Sequence, residues 1–329
     1  MKSGHAWTLT QLEKARPLVL PYTRIPATPQ GYSWADISYV IGGYNWKALF
    51  LDQNGFIITD QPGQSGDAGY LNQFNLANPI VGKEAGWVQY HSGEPEKSYD
   101  CAACHTTGYQ SGGHQDDLAG ITGTWQETGV QCEACHGPGS LHASNPTGVR
   151  MLIDRDSQMC AQCHETGPSQ SVDPETGMPM HQDQYGGMFL SRHNALDCVT
   201  CHDPHAGVEQ LRQTKEPTTS TRCEDCHLQE ARYQNNPKHL AVNMACTECH
   251  MPYMIASAWD SPHAFLGDIR THVMSIDPSQ ISQVSPDGSQ VYTQISLDYA
   301  CKHCHEQGLG TPKTDAQLIQ AATGYHAKP

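Results

Sequence analysis

The sequence has no long apolar segment and few basic residues, and each shortage excludes classes of protein. No segment approaches the 18 or more consecutive apolar residues of a transmembrane helix. Lysine and arginine together number 19 against 34 aspartates and glutamates, which gives a formal net charge of −15. This balance argues against nucleic-acid binding, which needs a basic surface, and against adsorption to an anionic membrane. It favours partners with basic patches, cationic minerals or divalent ions.

Apolar material for a core is also scarce. Hydrophobic residues make up 37% of the 329 residues, and 30 glycines and 21 prolines predict many turns and loops. A conventional core built from this material would be thin. Another component must therefore supply apolar mass.

Cysteine is absent from the first 100 residues, and all 14 cysteines then fall into seven copies of Cys-x-x-Cys-His. The cysteine pairs are Cys101 and Cys104, Cys132 and Cys135, Cys160 and Cys163, Cys198 and Cys201, Cys223 and Cys226, Cys246 and Cys249, and Cys301 and Cys304. The histidines that follow them are His105, His136, His164, His202, His227, His250 and His305. We number these motifs 1 to 7 in chain order.

Cys-x-x-Cys-His is the attachment signature of c-type haem. Two thiols bond to two vinyl groups on one edge of the porphyrin, and the next residue, a histidine, binds the iron as its proximal ligand. A structural zinc site needs four ligands, often two Cys-x-x-Cys pairs, and seven pairs divide badly into such sites. Thioredoxin-like motifs occur singly, near a βαβ pattern. We therefore predict seven covalent haems c, which supply the missing apolar mass.

We predict a mostly irregular fold of short α-helices wrapped around a haem array, with a small antiparallel β-meander near the N-terminus. The meander is expected at about 38–60, where Gly42-Gly43 and Asn54-Gly55 separate three apolar runs. Residues 1–98 are predicted to form a haem-free β-containing region, and residues 99–329 the seven-haem domain.

Two further elements are predicted near the C-terminal end. A hairpin is expected at 281–297 around Pro286-Asp287-Gly288. A helix is expected after Thr314, which forms a capping box with Gln317, and it should end at Gly324.

Twelve histidines lie outside the motifs, and seven irons need a second axial ligand. The surplus predicts predominantly His/His ligation, although ten methionines leave Met ligation open. His205 follows His202 by three residues, so it can serve only a neighbouring haem. His181 and His193 are 12 residues apart and should serve different haems. His303 lies between two anchored thiols and is a poor candidate.

Four stretches carry a resemblance to a known class: "CAACHTTGY", "GTWQETGVQCEACHGPGSLHA", "LSRHNALDCVTCHDPHAG" and "GDIRTHVMSI". They resemble bacterial and archaeal multihaem c-type cytochromes, which include respiratory carriers, octahaem oxidoreductases and subunits of extracellular cytochrome filaments. The resemblance covers about residues 80–310. It implies that His142, His193 and His272 are distal ligands. The remaining distal candidates are His91, His114, His181, His205, His239 and His263.

The sequence departs from the enzymes of this class. Multihaem nitrite and tetrathionate reductases typically carry one motif with lysine in place of histidine, and no such motif occurs here. A hydroxylamine-oxidising enzyme would bring a further haem and a cross-linking tyrosine, and Tyr325 lacks a convincing context for that role. We therefore predict an electron carrier with no catalytic residue.

The expected function is electron transfer through the haem chain as a subunit of an extracellular conductive filament. Two alternatives stay open: a soluble periplasmic shuttle, and an oxidoreductase with one open-coordination haem. In the filament, copies of the chain would stack head to tail, with His5 as a candidate ligand across the interface. Redox proteins or extracellular acceptors would be the other partners.

We expect a periplasmic or extracellular location, because c-type haem is attached outside the cytoplasm. The first residues show no apolar region of a signal peptide, so we expect that a signal was removed or that the gene starts further upstream.

Overall fold

The structure is a computed structural model, and it describes residues 3–12, 24–165, 184–208, 211, 214–232, 237–259, 264–306 and 308–327. The chain divides into two compact units. Unit 1 comprises Met1–Asn78, Lys83–Arg155 and His202–Thr218, and unit 2 comprises Pro79–Gly82, Asp156–Cys201 and Thr219–Pro329. The predicted domain boundary at residue 98 stays a prediction.

Unit 1 contains a five-stranded antiparallel meander, with the strands hydrogen-bonded in chain order. Its strands are β1 (Leu9–Gln11), β2 (Ile37–Gly42), β3 (Lys47–Asp52), β4 (Gln73–Asn75) and β5 (Gly86–Val88). The small sheet predicted near the N-terminus is thus confirmed, and it extends beyond the predicted 38–60 at both ends. The turn between β2 and β3 begins with Gly42 and Gly43, whose positive φ angles of 70° and 84° favour glycine.

The third apolar run of the predicted meander does not form a strand of this sheet. Ile57 makes isolated bridges to Leu51 on one side and to Lys97 on the other. The Asp52 carboxylate accepts hydrogen bonds from the backbone N–H groups of Asn54 and Phe56, both at 2.9 Å. The turn thus engages backbone N–H groups that a regular β-ladder would need. Strand β3 pairs with β4 and not with the third apolar run.

Both faces of the sheet are buried, because alternate residues of β2 and β3 pack into different hydrophobic clusters. Val40 and Phe50 belong to one cluster. Tyr39 and Leu51 belong to the other, which also contains Ala102 of motif 1. The sheet therefore supports the first motif.

Twelve short α-helices occur among the described residues. They are α1 (Ala102–His105), α2 (Cys132–His136), α3 (Ser140–Ser144), α4 (Ser157–His164), α5 (Gln184–Phe189), α6 (Cys198–Cys201), α7 (Cys223–Cys226), α8 (Leu228–Arg232), α9 (Pro237–Ala241), α10 (Cys246–His250), α11 (His303–His305) and α12 (Asp315–Ala322). Two-stranded sheets pair β6 (Thr106–Thr107) with β7 (Glu127–Thr128) and β8 (Tyr253–Ile255) with β9 (Ile269–Arg270). Short 3-10 helices lie at Gly4–Trp7, Trp34–Asp36 and Gln115–Asp117, and a π-helix at Asp298–Lys302 precedes α11. No described helix is long and apolar enough to cross a membrane.

The predicted hairpin at 281–297 forms its turn but no strands. Val284 and Val291 make a single antiparallel bridge. The Gln283 side chain donates hydrogen bonds to the carbonyls of Tyr292 and Gln294, both at 2.9 Å. Its amide oxygen accepts from the N–H of Ser296 at 2.7 Å. This side chain thus occupies backbone groups that a β-ladder would pair.

The predicted C-terminal helix is confirmed as α12. Thr314 caps it, and the reciprocal capping box with Gln317 is present. Gly324 follows the helix with a φ of 70°, the left-handed conformation expected after a helix end.

Candidate haem sites

Each of the seven motifs contributes to a short helical turn, and this local structure suits two thioether bonds and one axial bond. Helices α2, α4 and α10 contain complete motifs, and the other motifs lie partly within α1, α6, α7 and α11. Residues three and four apart share one face of an α-helix. The turn therefore directs two cysteines and the following histidine to the same side, where one porphyrin can be anchored.

Most motif histidines hold a defined tautomer, because their Nδ1 atoms contact hydrogen-bond acceptors. The acceptors are the carbonyls of Thr8 for His105 (3.0 Å), Leu152 for His136 (2.6 Å), Met274 for His250 (2.9 Å) and Thr311 for His305 (2.7 Å), and the Gln184 Oε1 for His164 (3.1 Å). A carbonyl oxygen can only accept, so Nδ1 carries the proton and Nε2 presents its lone pair. Hydrogen-bond acceptors beside metal-binding histidines hold them in this orientation.

Burial supports the same protonation state at two sites. Burial lowers the pKa of His105 and of His250. In each case this effect outweighs a hydrogen bond to a backbone carbonyl, which raises the pKa. Both imidazoles are therefore neutral at neutral pH, which is the form that binds a metal ion.

Four motif histidines each face the ring of a histidine from elsewhere in the chain. Two imidazoles on opposite sides of one metal ion have ring centroids about 6.2 Å apart, given metal–nitrogen bonds of about 2.0 Å and about 1.1 Å from nitrogen to ring centre. The four pairs have centroid separations of 5.8–6.0 Å. They are His136 with His205 (6.0 Å), His227 with His193 (5.8 Å), His305 with His239 (6.0 Å) and His250 with His326 (6.0 Å).

The non-motif rings of these pairs are oriented like the motif rings. Their Nδ1 contacts are Asp203 for His205 (3.1 Å), Ser191 for His193 (3.4 Å), Tyr325 for His239 (2.9 Å) and the Glu230 carbonyl for His326 (3.0 Å). The remaining motif ring, His227, has its Nδ1 3.7 Å from the Glu230 carboxylate. In all eight rings Nδ1 makes the polar contact, so Nε2 is the nitrogen available to iron.

The other predicted distal ligands divide into three groups. His91, His114 and His142 have Nδ1 atoms held by the Glu94 carboxylate (2.7 Å), the Ile121 carbonyl (2.6 Å) and the Val149 carbonyl (2.6 Å). His272 lies beside Gly187 of α5. His181 and His263 lie outside the described residues. For all of these, a ligand role stays a prediction.

Two further histidines have defined surroundings. The Nδ1 of His303 is 2.7 Å from the Tyr299 carbonyl. His5 lies in the first 3-10 helix, and its carbonyl accepts a hydrogen bond from the Val130 N–H at 2.8 Å. The N-terminal segment is thus hydrogen-bonded within unit 1.

His326 was not among the sequence candidates, and its position is a finding of the tertiary structure. It belonged to the twelve spare histidines, but nothing in the local sequence distinguished it from a solvated residue. No local motif can reveal its pairing with His250, because the two residues are 76 positions apart in the sequence.

The surface around the motifs fits a large apolar cofactor. Contiguous patches of exposed apolar side chains mark binding surfaces in folded proteins. Eight exposed ones lie close in sequence to motifs or candidate ligands: Leu141, Leu152, Ile153, Leu196, Leu228, Leu240, Val242 and Leu309. Porphyrin faces and edges would cover such side chains.

Thiols from consecutive motifs also meet in unit 2. The thiol of Cys160 in motif 3 lies beside the thiol of Cys198 in motif 4, and the thiol of Cys223 in motif 5 lies beside the thiol of Cys246 in motif 6. Each sulfur is a predicted attachment point of a porphyrin edge. These contacts therefore bring the attachment points of different motifs together.

A family comparison agrees with the motifs. The family described as cytochrome c554 and c-prime matches residues 79–137, which contain motifs 1 and 2. Multihaem relatives and structures match other parts of the chain. Together these matches support a multihaem c-type cytochrome.

Two curated proteins are similar to parts of this chain. The dissimilatory sulfite reductase MccA of Wolinella succinogenes is 24% identical over 209 residues, which are 49% of this chain and 29% of that protein. The multihaem cytochrome MtrA of Shewanella baltica is 25% identical over 170 residues, 48% of this chain and 47% of that protein. The chain thus spans less than half the length of either relative.

Two solved structures share its fold. The octahaem sulfite reductase MccA of Wolinella succinogenes aligns with a TM-score of 0.55 at 18% identity, covering 98% of this chain and 66% of that chain. The outer cell wall cytochrome OcwA aligns with a TM-score of 0.53 at 16% identity, covering 97% of this chain and 82% of that chain. The prediction of a multihaem cytochrome is confirmed by these comparisons, and haem c is the cofactor they support.

Proposed function

We propose that the cytochrome conducts electrons through seven covalently bound haems c. The observation that carries the proposal is the set of four histidine pairs with ring centroids 5.8–6.0 Å apart. An iron between two such imidazoles has both axial positions filled and no position for a substrate. The protein then positions the haems, excludes side reactions and tunes their potentials.

The thiol contacts between consecutive motifs support rapid passage along the chain. Cys160 meets Cys198, and Cys223 meets Cys246. Because a thioether sulfur is bonded at the porphyrin edge, haems 3 and 4 would lie close at their edges, as would haems 5 and 6. Histidine ligation at both faces keeps haem potentials lower than methionine ligation does. Such a chain suits low-potential donors and acceptors outside the cytoplasm.

Denaturing mass spectrometry and visible spectroscopy test this proposal together. We expect the mature protein to carry seven haem additions and its ferric haems to be predominantly low-spin. A mature protein with six or fewer haems would contradict the count. A spectrum dominated by high-spin haem would contradict the ligation.

The finer proposal is that copies of the cytochrome stack into an extracellular conductive filament. Its support is the acidic chain with its array of haem motifs, together with the fold shared with an outer cell wall cytochrome. Electron microscopy of purified protein should show fibres with a regular repeat. Protein that stays monomeric at high concentration would favour a soluble shuttle.

An oxidoreductase with one open-coordination haem is the second candidate. It is favoured by the similarity to a sulfite reductase, both in sequence and in fold. This candidate requires a high-spin fraction equal to about one haem and turnover of a small oxyanion such as sulfite with a reduced viologen. A wholly low-spin protein without turnover would exclude it.

A further inference from the structure

We propose that the C-terminal turn Tyr325-His326 is a clasp that serves two haems at once. In this clasp His326 is the second axial ligand of the motif 6 iron. Tyr325 positions His239, the ligand of the motif 7 iron. The inference rests on the proposed haem ligation and adds a ligand and a positioning residue that the motifs do not reveal.

The geometry of His326 is that of an axial ligand. Its ring lies 6.0 Å from the ring of His250, with an angle of 29° between the planes. Its Nδ1 donates to the Glu230 carbonyl at 3.0 Å, so Nε2 carries the lone pair. The Nδ1 of His250 donates to the Met274 carbonyl at 2.9 Å. Both rings are thus fixed with Nε2 unprotonated.

Tyr325 touches the other pair. Its hydroxyl is 2.9 Å from the Nδ1 of His239, whose ring faces His305 of motif 7 at 6.0 Å. When Nε2 binds iron, the neutral imidazole carries its proton on Nδ1 and donates it to the phenol oxygen. A hydrogen bond of this kind fixes the ring and raises the basicity of the ligand.

The fold holds this turn from three directions. Helix α12 carries it and is closed at its start by the Thr314 cap. Asp315 of the same helix is 2.9 Å from the ammonium group of Lys302, inside motif 7. At the other end Gly324, with a φ of 70°, lets the chain turn back so that Tyr325 donates its N–H to the Ala322 carbonyl at 3.2 Å.

Because one turn holds the ligands of two irons, moving it disturbs both sites together. Substitutions at the consecutive residues Tyr325 and His326 should, however, affect haems 6 and 7 in different ways. A change at His326 alters the coordination of one iron, whereas a change at Tyr325 alters only the environment of a ligand. The two variants separate these roles.

Replacing His326 tests the ligand. We expect His326→Ala to convert one ferric haem to high-spin and added imidazole to restore the low-spin spectrum. We expect His326→Met to retain a low-spin haem and to raise the potential of one haem, since a methionine ligand raises it. Gln320→Ala, an exposed position on α12, is the matched control and should leave every haem unchanged.

A His326→Ala protein that is wholly low-spin and does not respond to imidazole would overturn the ligand role. Should that variant fail to mature, an unchanged set of potentials in His326→Met would overturn it.

Replacing Tyr325 tests the positioning role. Tyr325→Phe should keep all haems low-spin and raise the potential of one haem, because His239 loses an acceptor that makes it more basic. Tyr292→Phe, a tyrosine that is 40% exposed, is the control and should leave the potentials unchanged. An unchanged redox titration of Tyr325→Phe would refute the positioning role.

Failure of the clasp is distinguishable from failure of the proposed function. The haem count and the effect of replacing His205 do not involve this turn. If seven haems are present and His205→Ala creates a high-spin haem while the His326 variants do nothing, only the clasp is refuted.

Discussion

A histidine becomes a reliable axial ligand when its other ring nitrogen is held, and this chain holds that nitrogen repeatedly. Backbone carbonyls accept from Nδ1 of His136, His250, His305 and His326, and the Asp203 carboxylate contacts Nδ1 of His205. Such contacts fix both the tautomer and the ring plane. The pairing of the histidine rings and the angle between their planes can therefore be tested separately.

The first prediction concerns the pair His136 and His205 and the pair His227 and His193. We expect His205→Ala and His193→Ala each to convert one ferric haem to high-spin, because each removes one of two imidazoles 5.8–6.0 Å apart. Visible and resonance Raman spectra measure the change, and added imidazole should reverse it. A variant that stays fully low-spin without added ligand contradicts the pairing at that site.

The second prediction uses the angles between the paired rings. The planes of His136 and His205 are 6° apart, whereas those of His227 and His193 are 63° apart. Nearly parallel imidazoles split the iron d orbitals and give a rhombic low-spin signal, whereas steeply crossed imidazoles give a signal with a large maximum g value. In electron paramagnetic resonance, His205→Ala should remove a rhombic signal and His193→Ala a large-g signal. The opposite assignment would show that the ring planes differ in the haem-loaded protein.

At the scale of elements, the motif helices are too short to be stable alone, so neighbouring segments must hold them. Isolated helices of fewer than about 12 residues are marginal in water, and α10 has five. Arg270 of β9 donates from one guanidinium nitrogen to the carbonyls of Thr247 (2.8 Å) and Met251 (2.7 Å). Its other terminal nitrogen pairs with the Glu248 carboxylate. Strand β9 thus clamps the helix of motif 6.

The third prediction is that Arg270→Met destabilises unit 2 by about 2 kcal/mol, because half-buried carbonyls and a carboxylate lose their donor. Denaturant unfolding of the holoprotein measures it. Arg222→Met is the matched control: the Arg222 side chain is 62% exposed and lies 3.5 Å from each of the carboxylates of Glu224 and Asp225, inside motif 5. Exposed ion pairs contribute about 0–1 kcal/mol, so this variant should be nearly neutral. Equal losses in both variants would argue against the clamp.

At the scale of the whole molecule, the two units differ in how much core the polypeptide itself provides. Unit 1 buries two clusters on the faces of its sheet, with Ile37, Val40, Phe50 and Leu51 at most 1% exposed. The hydrophobic cluster described in unit 2 is smaller and lies around Met254, Ile255, Ile295, Tyr299 and Ala300. Haems should therefore matter more to the stability of unit 2.

The fourth prediction follows from that difference. In protein made without haem, amides of β2 and β3 should retain hydrogen-exchange protection, while those of α7, α8 and α9 should exchange freely. Stability differs along a chain according to local burial, and these helices contain many exposed residues. The haem-loaded protein is the reference and should protect both regions. Equal protection in the two units of the haem-free protein would contradict the prediction.

The sequence alone determined the attachment chemistry, because Cys-x-x-Cys-His places all its reacting groups within five residues and one helical turn. The C-terminal helix was predictable for the same reason, since its capping box and terminal glycine are local signals. The extent of the sheet was not predictable from the sequence. Asp52 and Lys97 redirect the hydrogen bonds of residues 54–57 and so decide which segment pairs with β3. The histidine pairs were likewise decided by tertiary structure. Their members lie 34 to 76 residues apart, and the position of each Nε2 depends on backbone that only the fold brings together.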